Sequence, residues 1–173
     1  RTFSILARIG SRLNQLRLRR GTPITTDAQL KKLQAEIGIV SGEARIEKGV
    51  GFSIDLDGDA LTGLVGYRAK RHAGVIDIDK VGVADPQDFW EPVHVRRNRS
   101  IILDPGEFYI LKSREAVSIP PEWAAEMVPY DPLVGEFRVH YAGFFDPGFG
   151  HSAAGGTGSR AVLMAIETAP RRT

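Results

Sequence analysis

The apolar positions of this chain change their period along its length. Over residues 1–21 apolar and polar residues alternate, with Phe3 and Ile5, then Leu13, Leu16 and Leu18, on either side of a Gly10-Ser11 turn. A period near two predicts strand, turn, strand. Leu30, Leu33 and Ile37 then fall on one helical stripe, with Thr26 or Asp27 able to cap its start and Gly38 to supply a left-handed stop. That spacing predicts a single short helix. The loop Gly21-Thr22-Pro23 ahead of it marks a boundary, and a helix of this length and modest amphipathicity reads as packing or linker. From Ser41 onward β-rich runs follow at 51–56, 64–70, 75–81, 93–97, 101–103, 108–119, 137–145 and 160–167, broken nearly every time by Gly, Pro or Asp. Pro120, Pro121, Glu122 and Trp123 are expected to add one helical turn, and residues 150–159 to form a flexible connection between strands.

This succession lacks the strand-helix alternation of a nucleotide-binding parallel sheet and predicts an all-β sandwich, jelly roll or β-barrel. With 173 residues, 42% of them hydrophobic, there is material for one compact domain or slightly more. Lys and Arg total 23 against 21 Asp and Glu, a formal charge of +2, which argues against obligate binding of nucleic acid. Arg8, Arg12, Arg17, Arg19 and Arg20 are not interleaved with stacking aromatics and read as a solvated strand face. The absence of Cys removes disulfide scaffolds, thiolate metal sites and cysteine nucleophiles, and favours a reducing cytoplasm. No run approaches the ~18 apolar residues of a membrane span, and the opening residues carry no signal pattern, so no membrane partner is expected. The chain opens at Arg1, inside a strand-like pattern, so a truncated or processed boundary is expected there.

Several chemistries can be tested by spacing. His72, His94, His140 and His151 show no His-Glu-x-x-His pattern, and a zinc deaminase needs a Cys pair. Asp55, Asp57 and Asp59 alternate like the opening of a calcium loop, but Ala60 stands where Gly is needed and Gly66 where the loop should close with Glu. They read as a polar turn. The Gly-rich stretch 150–158 lacks the Gly-Lys-Ser/Thr ending of a phosphate-cradling loop, and there is no Gly-x-Ser-x-Gly elbow. Asp146-Pro147-Gly148 differs in kind, placing an acid and a tight turn directly after an apolar strand, where backbone groups can read the edge of a ligand.

The order of motifs resembles the dCTP deaminase branch of the dUTPase superfamily. Ile102-Leu103-Asp104-Pro105-Gly106-Glu107-Phe108, followed by Ser113-Arg114-Glu115-Ala116-Val117-Ser118-Ile119-Pro120, is similar to its L-x-P-G-E-F and E-x-V-x-L-P stretches. Ala142-Gly143-Phe144-Phe145-Asp146-Pro147-Gly148-Phe149 is similar to its A-G-x-I-D-P-G-F stretch, and Val162-Leu163 to the strand that carries its catalytic Glu. The likeness covers residues 101–163, with a looser match at 51–56. Gly10-Ser11-Arg12-Leu13-Asn14-Gln15-Leu16 resembles the family's closing G-x-x-I-x-Q-L strand. A closing strand ahead of an opening sequence fits the long tandem form. The resemblance therefore implies closing strands of a preceding repeat at 1–21, a helical linker at 22–40, and a second repeat, incomplete at its C-terminus, at 41–173.

The resemblance implies a distorted jelly roll of the dUTPase-like, β-clip type that deaminates dCTP to dUTP without a cofactor for the chemistry. In such a site a Glu acts as general base on the water that attacks C4 of cytosine, a Ser and an Arg fix the water and the developing charge, and Mg2+ accompanies only the triphosphate. Asp146 would contact the deoxyribose with Gly148 beside it, and Val162 and Leu163 would line the base pocket. A trimer or pseudo-trimer with active sites at subunit boundaries is implied too, in the cytoplasm. Two departures stand out. The family's Arg/Lys-Ser-Ser-x-x-Arg run is replaced by residues 128–136 (VPYDPLVGE), without its donors, and Met164 stands where the Glu should follow Leu163. Glu167, three residues on, is out of reach along a strand without a bulge. This copy alone is expected not to deaminate. The rival readings are a non-catalytic nucleotide-binding or scaffolding jelly-roll module and, more weakly, a dUTPase-type diphosphatase, which needs an acid to position metal-bound water.

Overall fold

The 108–119 run builds the strand that organises the molecule. The computed structural model describes residues 3–12, 25–128, 137–139, 144–152 and 159–167, with 137–139 and 159–167 described as backbone. Strand β1 (Ser4–Leu6) is followed by helix α1 (Asp27–Ile37), β2 (Leu64–Ala69), β3 (Val75–Asp77), helix α2 (Pro86–Phe89) and β4 (Trp90–His94). Then come β5 (Phe108–Val117), β6 (Ala125–Glu126), β7 (Phe137–Val139), β8 (Phe144–Phe145) and β9 (Ser159–Glu167). An antiparallel sheet runs β4-β2-β5-β9-β7, with two-stranded β1-β3 and β6-β8 pairs beside it. Consecutive residues of β5 alternate between buried and half-buried up to Ser113, the signature of a strand with one face in the core.

Strand β5 changes partners halfway along. Its first half pairs with β2 from Tyr109 to Leu111. Between the pairs Lys112–Val162 and Ala116–Arg160 it advances four residues while β9 advances two, which is a bulge. Two loop segments collect the backbone groups left over. Asp55 N donates to Lys112 O at 3.0 Å, Arg114 N to Ser53 O at 2.8 Å, Ser41 N to Ala116 O at 2.9 Å and Ser118 N to Ile39 O at 2.8 Å. Side chains complete the set, with Ser53 N donating to Glu115 Oε2 and Ala116 N to Ser41 Oγ, both at 2.8 Å. Buried backbone polar groups must be paired, so residues 39–41 and 53–55 act as partial strands. The core lies on this strand: Tyr109, Leu111, Val117 and Ile119 cluster with Phe145, and Phe52, Ile54, Val93, Leu103 and Phe149 pack around them. Each such buried side chain contributes about 1.5–3 kcal/mol.

Helix α1 is capped at both ends as its sequence predicts. Thr26 and Gln29 form a reciprocal capping box, and Gly38 at φ 71° returns its N–H to Gln34 O. Polar side chains tie it to the β domain. The Asp27 carboxylate accepts from Lys48 N at 2.8 Å and Gly49 N at 3.0 Å, and the Gln34 amide makes two bonds to the Val40 backbone, at 2.8 and 2.9 Å. The backbone donors hold the Asp27 carboxyl below its usual range. At the other end β1 lies parallel to β3, with Ser4 opposite Val75 and Leu6 opposite Asp77. The Phe3 ring stands edge-on to Phe89 and Trp90, with centroids 5.2 and 5.0 Å away. Arg8 grips Asp77 through both nitrogens, at 2.6 and 2.9 Å, and reaches Asp79 at 2.9 Å.

The structure departs from the sequence expectations in places. A second helix, α2, is present although the sequence predicted only one, because the Asp85 carboxylate caps it and Pro86 begins it. The helical turn expected after Pro120 is a single i to i+3 bond from Trp123 N to Pro120 O, and Ala125 and Glu126 instead pair with Phe145 and Phe144. The 75–81 run stops at Asp77, whose carboxylate accepts from Asp79 N and bends the chain. The 93–97 run is shifted to β4, 101–103 forms no strand, and 51–56 is reduced to one bridge between Ile54 and Ser113. The strand expected over 13–21, His140 and the connection at 153–158 lie outside the described residues.

Two predictions follow from the packing and the charges. A Cβ at Gly66 would press into the Ile110 carbonyl oxygen and come within 2.7 Å of Leu111 Cδ2. Gly66→Ala is expected to lower stability by about 1–3 kcal/mol, read as a lower urea midpoint at unchanged m-value; an unchanged midpoint would refute this close approach. The Arg8 guanidinium holds the Asp77 carboxyl at about 2, against an ordinary 3.8. The stabilisation from this pair is therefore complete above the ordinary carboxylate value and is lost as pH falls through about 2. Carbon-13 titration of the Asp77 carboxyl should show this low midpoint, and Arg8→Leu should return it toward the ordinary value.

Candidate functional site

The acid-turn motif is built from the far end of the core strand. Phe145 on β8 is buried between Phe52 and Phe149, with ring centroids 6.3 and 5.2 Å away. Burying that ring fixes where the following residue leaves the strand, and Asp146 emerges exposed at the surface. Its carbonyl accepts from Phe149 N at 3.0 Å, closing a turn in which Gly148 adopts φ 87°, a conformation that favours glycine. The turn is clamped to the residue just beyond β5: Gly148 N donates to Ile119 O at 3.1 Å and Ile119 N to Phe149 O at 2.8 Å. His151 follows, with its Nδ1 3.4 Å from Ser118 Oγ. Asp146 and Gly148 are thus brought together on one rigid turn packed against the core.

Val162 and Leu163 lie on β9, opposite Lys112 and Leu111. Met164 is the next position, opposite Ile110, and the pairing continues without interruption to Ile166 opposite Phe108. The bulge in this ladder lies on the other side of Val162. Glu167 is held by a second ladder, opposite Phe137 of β7. Two uninterrupted registers keep Glu167 three positions from Met164, and a strand cannot slide one residue without moving every side chain to the other face. The segment after Leu163 is strand throughout its described length.

A charged cleft on the same sheet escaped the sequence reading. Arg68 donates to Glu91 Oε2 at 2.5 Å and to Asp104 Oδ2 at 3.3 Å, and Arg71 pairs with the buried Glu107. These residues, with Lys70 and His72, line a cleft of about 740 Å³. The Arg68 guanidinium pulls the Glu91 carboxyl below its usual range and is itself raised by that bond. The signal lay in the Pro105-Gly106-Glu107 motif, whose turn the structure explains: Asp104 N donates to Tyr109 Oη at 3.0 Å and Glu107 N to Asp104 O at 3.2 Å. The calcium-like acids behave as a polar turn. Asp55 pairs with Lys112, Asp57 with Arg99 and Arg114, and Asp59 accepts from Leu61 N, Thr62 N and the Thr62 hydroxyl.

Among the described residues the carboxyls that shift, Asp27, Asp59, Asp77 and Glu91, all shift downward, through bonds to backbone N–H groups, a hydroxyl or an arginine. A carboxylate held ionised in this way is a weakened base at neutral pH. These acids are poorly matched to moving protons at neutral pH. Of residues 128–136, where the sequence predicts the family's cationic run to be replaced, all from 129 on lie outside the described residues.

Comparison with known proteins places the chain in a family. The family model described as "2'-deoxycytidine 5'-triphosphate deaminase (DCD), C-terminal domain" matches residues 26–169. Among solved structures, the crystal structure of 2'-deoxycytidine 5'-triphosphate deaminase from Agrobacterium tumefaciens is similar at 54% sequence identity and a TM-score of 0.79. The match covers 86% of this chain and 45% of that one, so the chain spans less than half the length of this relative. No curated protein matches. The sheet order and this likeness together give the fold as all-β and dUTPase-like. With a turn, a strand register and a family match extending over most of its length, the chain belongs to the family of 2'-deoxycytidine 5'-triphosphate deaminase C-terminal domains.

Proposed function

We propose that this chain is the later part of a protein that hydrolytically deaminates dCTP to dUTP, and that it supplies the shell of a pyrimidine-nucleotide pocket without the groups that react. The observation that supports this reading is the uninterrupted register of β9, which sets Met164 directly after Leu163, where the resemblance expects the proton acceptor, and keeps Glu167 three positions further on. A thioether cannot take a proton from water at neutral pH, so base catalysis has no agent at this position. In this reading Asp146 and Gly148 read the sugar edge from their clamped turn, and Val162 and Leu163 border the base. Closing strands of a preceding repeat occupy 1–21, a helical linker 22–40 and the second repeat 41–173. The catalytic Glu, Ser and Arg belong to the preceding repeat. Mg2+ enters with the triphosphate. The assembly is a trimer or pseudo-trimer in which each pocket closes against a neighbour, working in the cytoplasm. No helix of the described residues is long and apolar enough to cross a membrane.

Support for an enzyme parent comes from the name of the matched family and of the solved relative.

Two measurements test it. The purified 173-residue chain is expected to release no ammonia from dCTP, while the full-length polypeptide does; turnover by the chain alone would overturn the assignment of the missing groups. Restoring the acid alone should not suffice, because the cationic run is also replaced. Met164→Glu in the isolated chain is expected to leave ammonia release at background, with circular dichroism confirming an intact sheet. Measurable deamination by this single variant would show that the water-fixing donors are present after all.

A further inference from the structure

Strand β1 lies ahead of residue 26, where the family match begins, yet it completes a parallel pair with β3 inside the matched domain. The attachment is firm, with Phe3 against Phe89 and Trp90 and with Arg8 on Asp77 and Asp79. The surface it creates is nevertheless apolar and uncovered. Leu6 is 44% exposed, Val75 62%, Val83 72% and Val81 92%, with Ile9 fully exposed beside them in sequence to Arg8. Leu6 and Val75 stand on one face of the two-stranded pair, because Ser4 faces Val75 and residues two apart share a face. The Arg8 bonds to Asp77 and Asp79 tie the segment just ahead of Ile9 to the end of β3 and the start of the turn that carries Val81 and Val83. The nearest charges neutralise one another in those bonds. Among the described residues β1 has a paired edge only toward β3, and such an open edge beside exposed apolar residues is a template for another strand.

We propose that this β1-β3 face is the docking surface for the domain that precedes it in the same polypeptide, with β1 as the strand the two domains share. The proposal rests on the reading that the chain is the later part of a longer protein. Two observations select this occupant. The segment entering from upstream is already seated here, and the solved relative has more than half its length outside the match.

Amide hydrogen exchange, compared between the 173-residue chain and the full-length polypeptide, tests this. Residues 76–83 are expected to exchange at least about tenfold more slowly in the full-length protein, with α1 and the centre of β5 unchanged. Equal rates in the two proteins would overturn the proposal. Protection that instead grows with the concentration of the isolated chain assigns the face to a second copy, and overturns it equally. Val81→Asp combined with Val83→Asp should abolish the added protection yet leave the thermal midpoint of the isolated chain unchanged. A lowered midpoint would mean that these valines pack within the chain, against the proposal. Deamination of dCTP by the full-length protein without added protection would sink this inference and spare the functional reading, and protection without deamination would do the reverse.

Discussion

The hydrogen-bonding demand of one strand governs this structure. Half of β5 is flanked by β2 and the other half is not, because the bulge at 113–115 turns the strand away. The backbone from 112 to 118 would then lack partners on that side, and part of it, opposite Asp55 and at Ser118, lies in the buried interior. Leaving one buried donor or acceptor unpaired costs about 1–3 kcal/mol, and several would exceed what a domain of this size can tolerate. The segments 39–41 and 53–55 are recruited to meet that demand, and their apolar neighbours Ile39, Val40, Phe52 and Ile54 are drawn into or against the core with them.

The candidate pocket inherits its geometry from the same strand. The residue just past its end clamps the Asp146 turn, and its first half fixes the register of β9. Both parts of the motif are consequently set by backbone bonds rather than by side-chain choice. A side chain on β9 can therefore differ in chemistry without asking the ladder to move.

What the sequence disclosed followed from local physics. The capping box of α1, its left-handed stop, and the strands β2, β5 and β9 are encoded by residues close in sequence and were legible there. The motif order carried the family, since its spacing survives the loss of individual groups. The edges of the fold were not legible. Segments 39–41 and 51–56 are ordered by bonds to residues 57 to 79 positions away, and no local pattern reports such partners. The Arg68 network was hidden for the same reason, its acids standing 23 and 36 residues from the arginine. Helix α2 could have been read from Asp85-Pro86, an acid cap before a proline start.

The seating of α1 has a mechanical meaning. Asp27 holds the 48–49 turn at one end of the helix, while near the other Gln34 grips Val40, whose backbone bridges to Val117 of β5. The helix is bolted at two points about two turns apart, so it cannot swivel about its axis. A push or twist delivered at Thr26 would be transmitted as a rigid lever into the strand that carries the core, rather than being absorbed on the way.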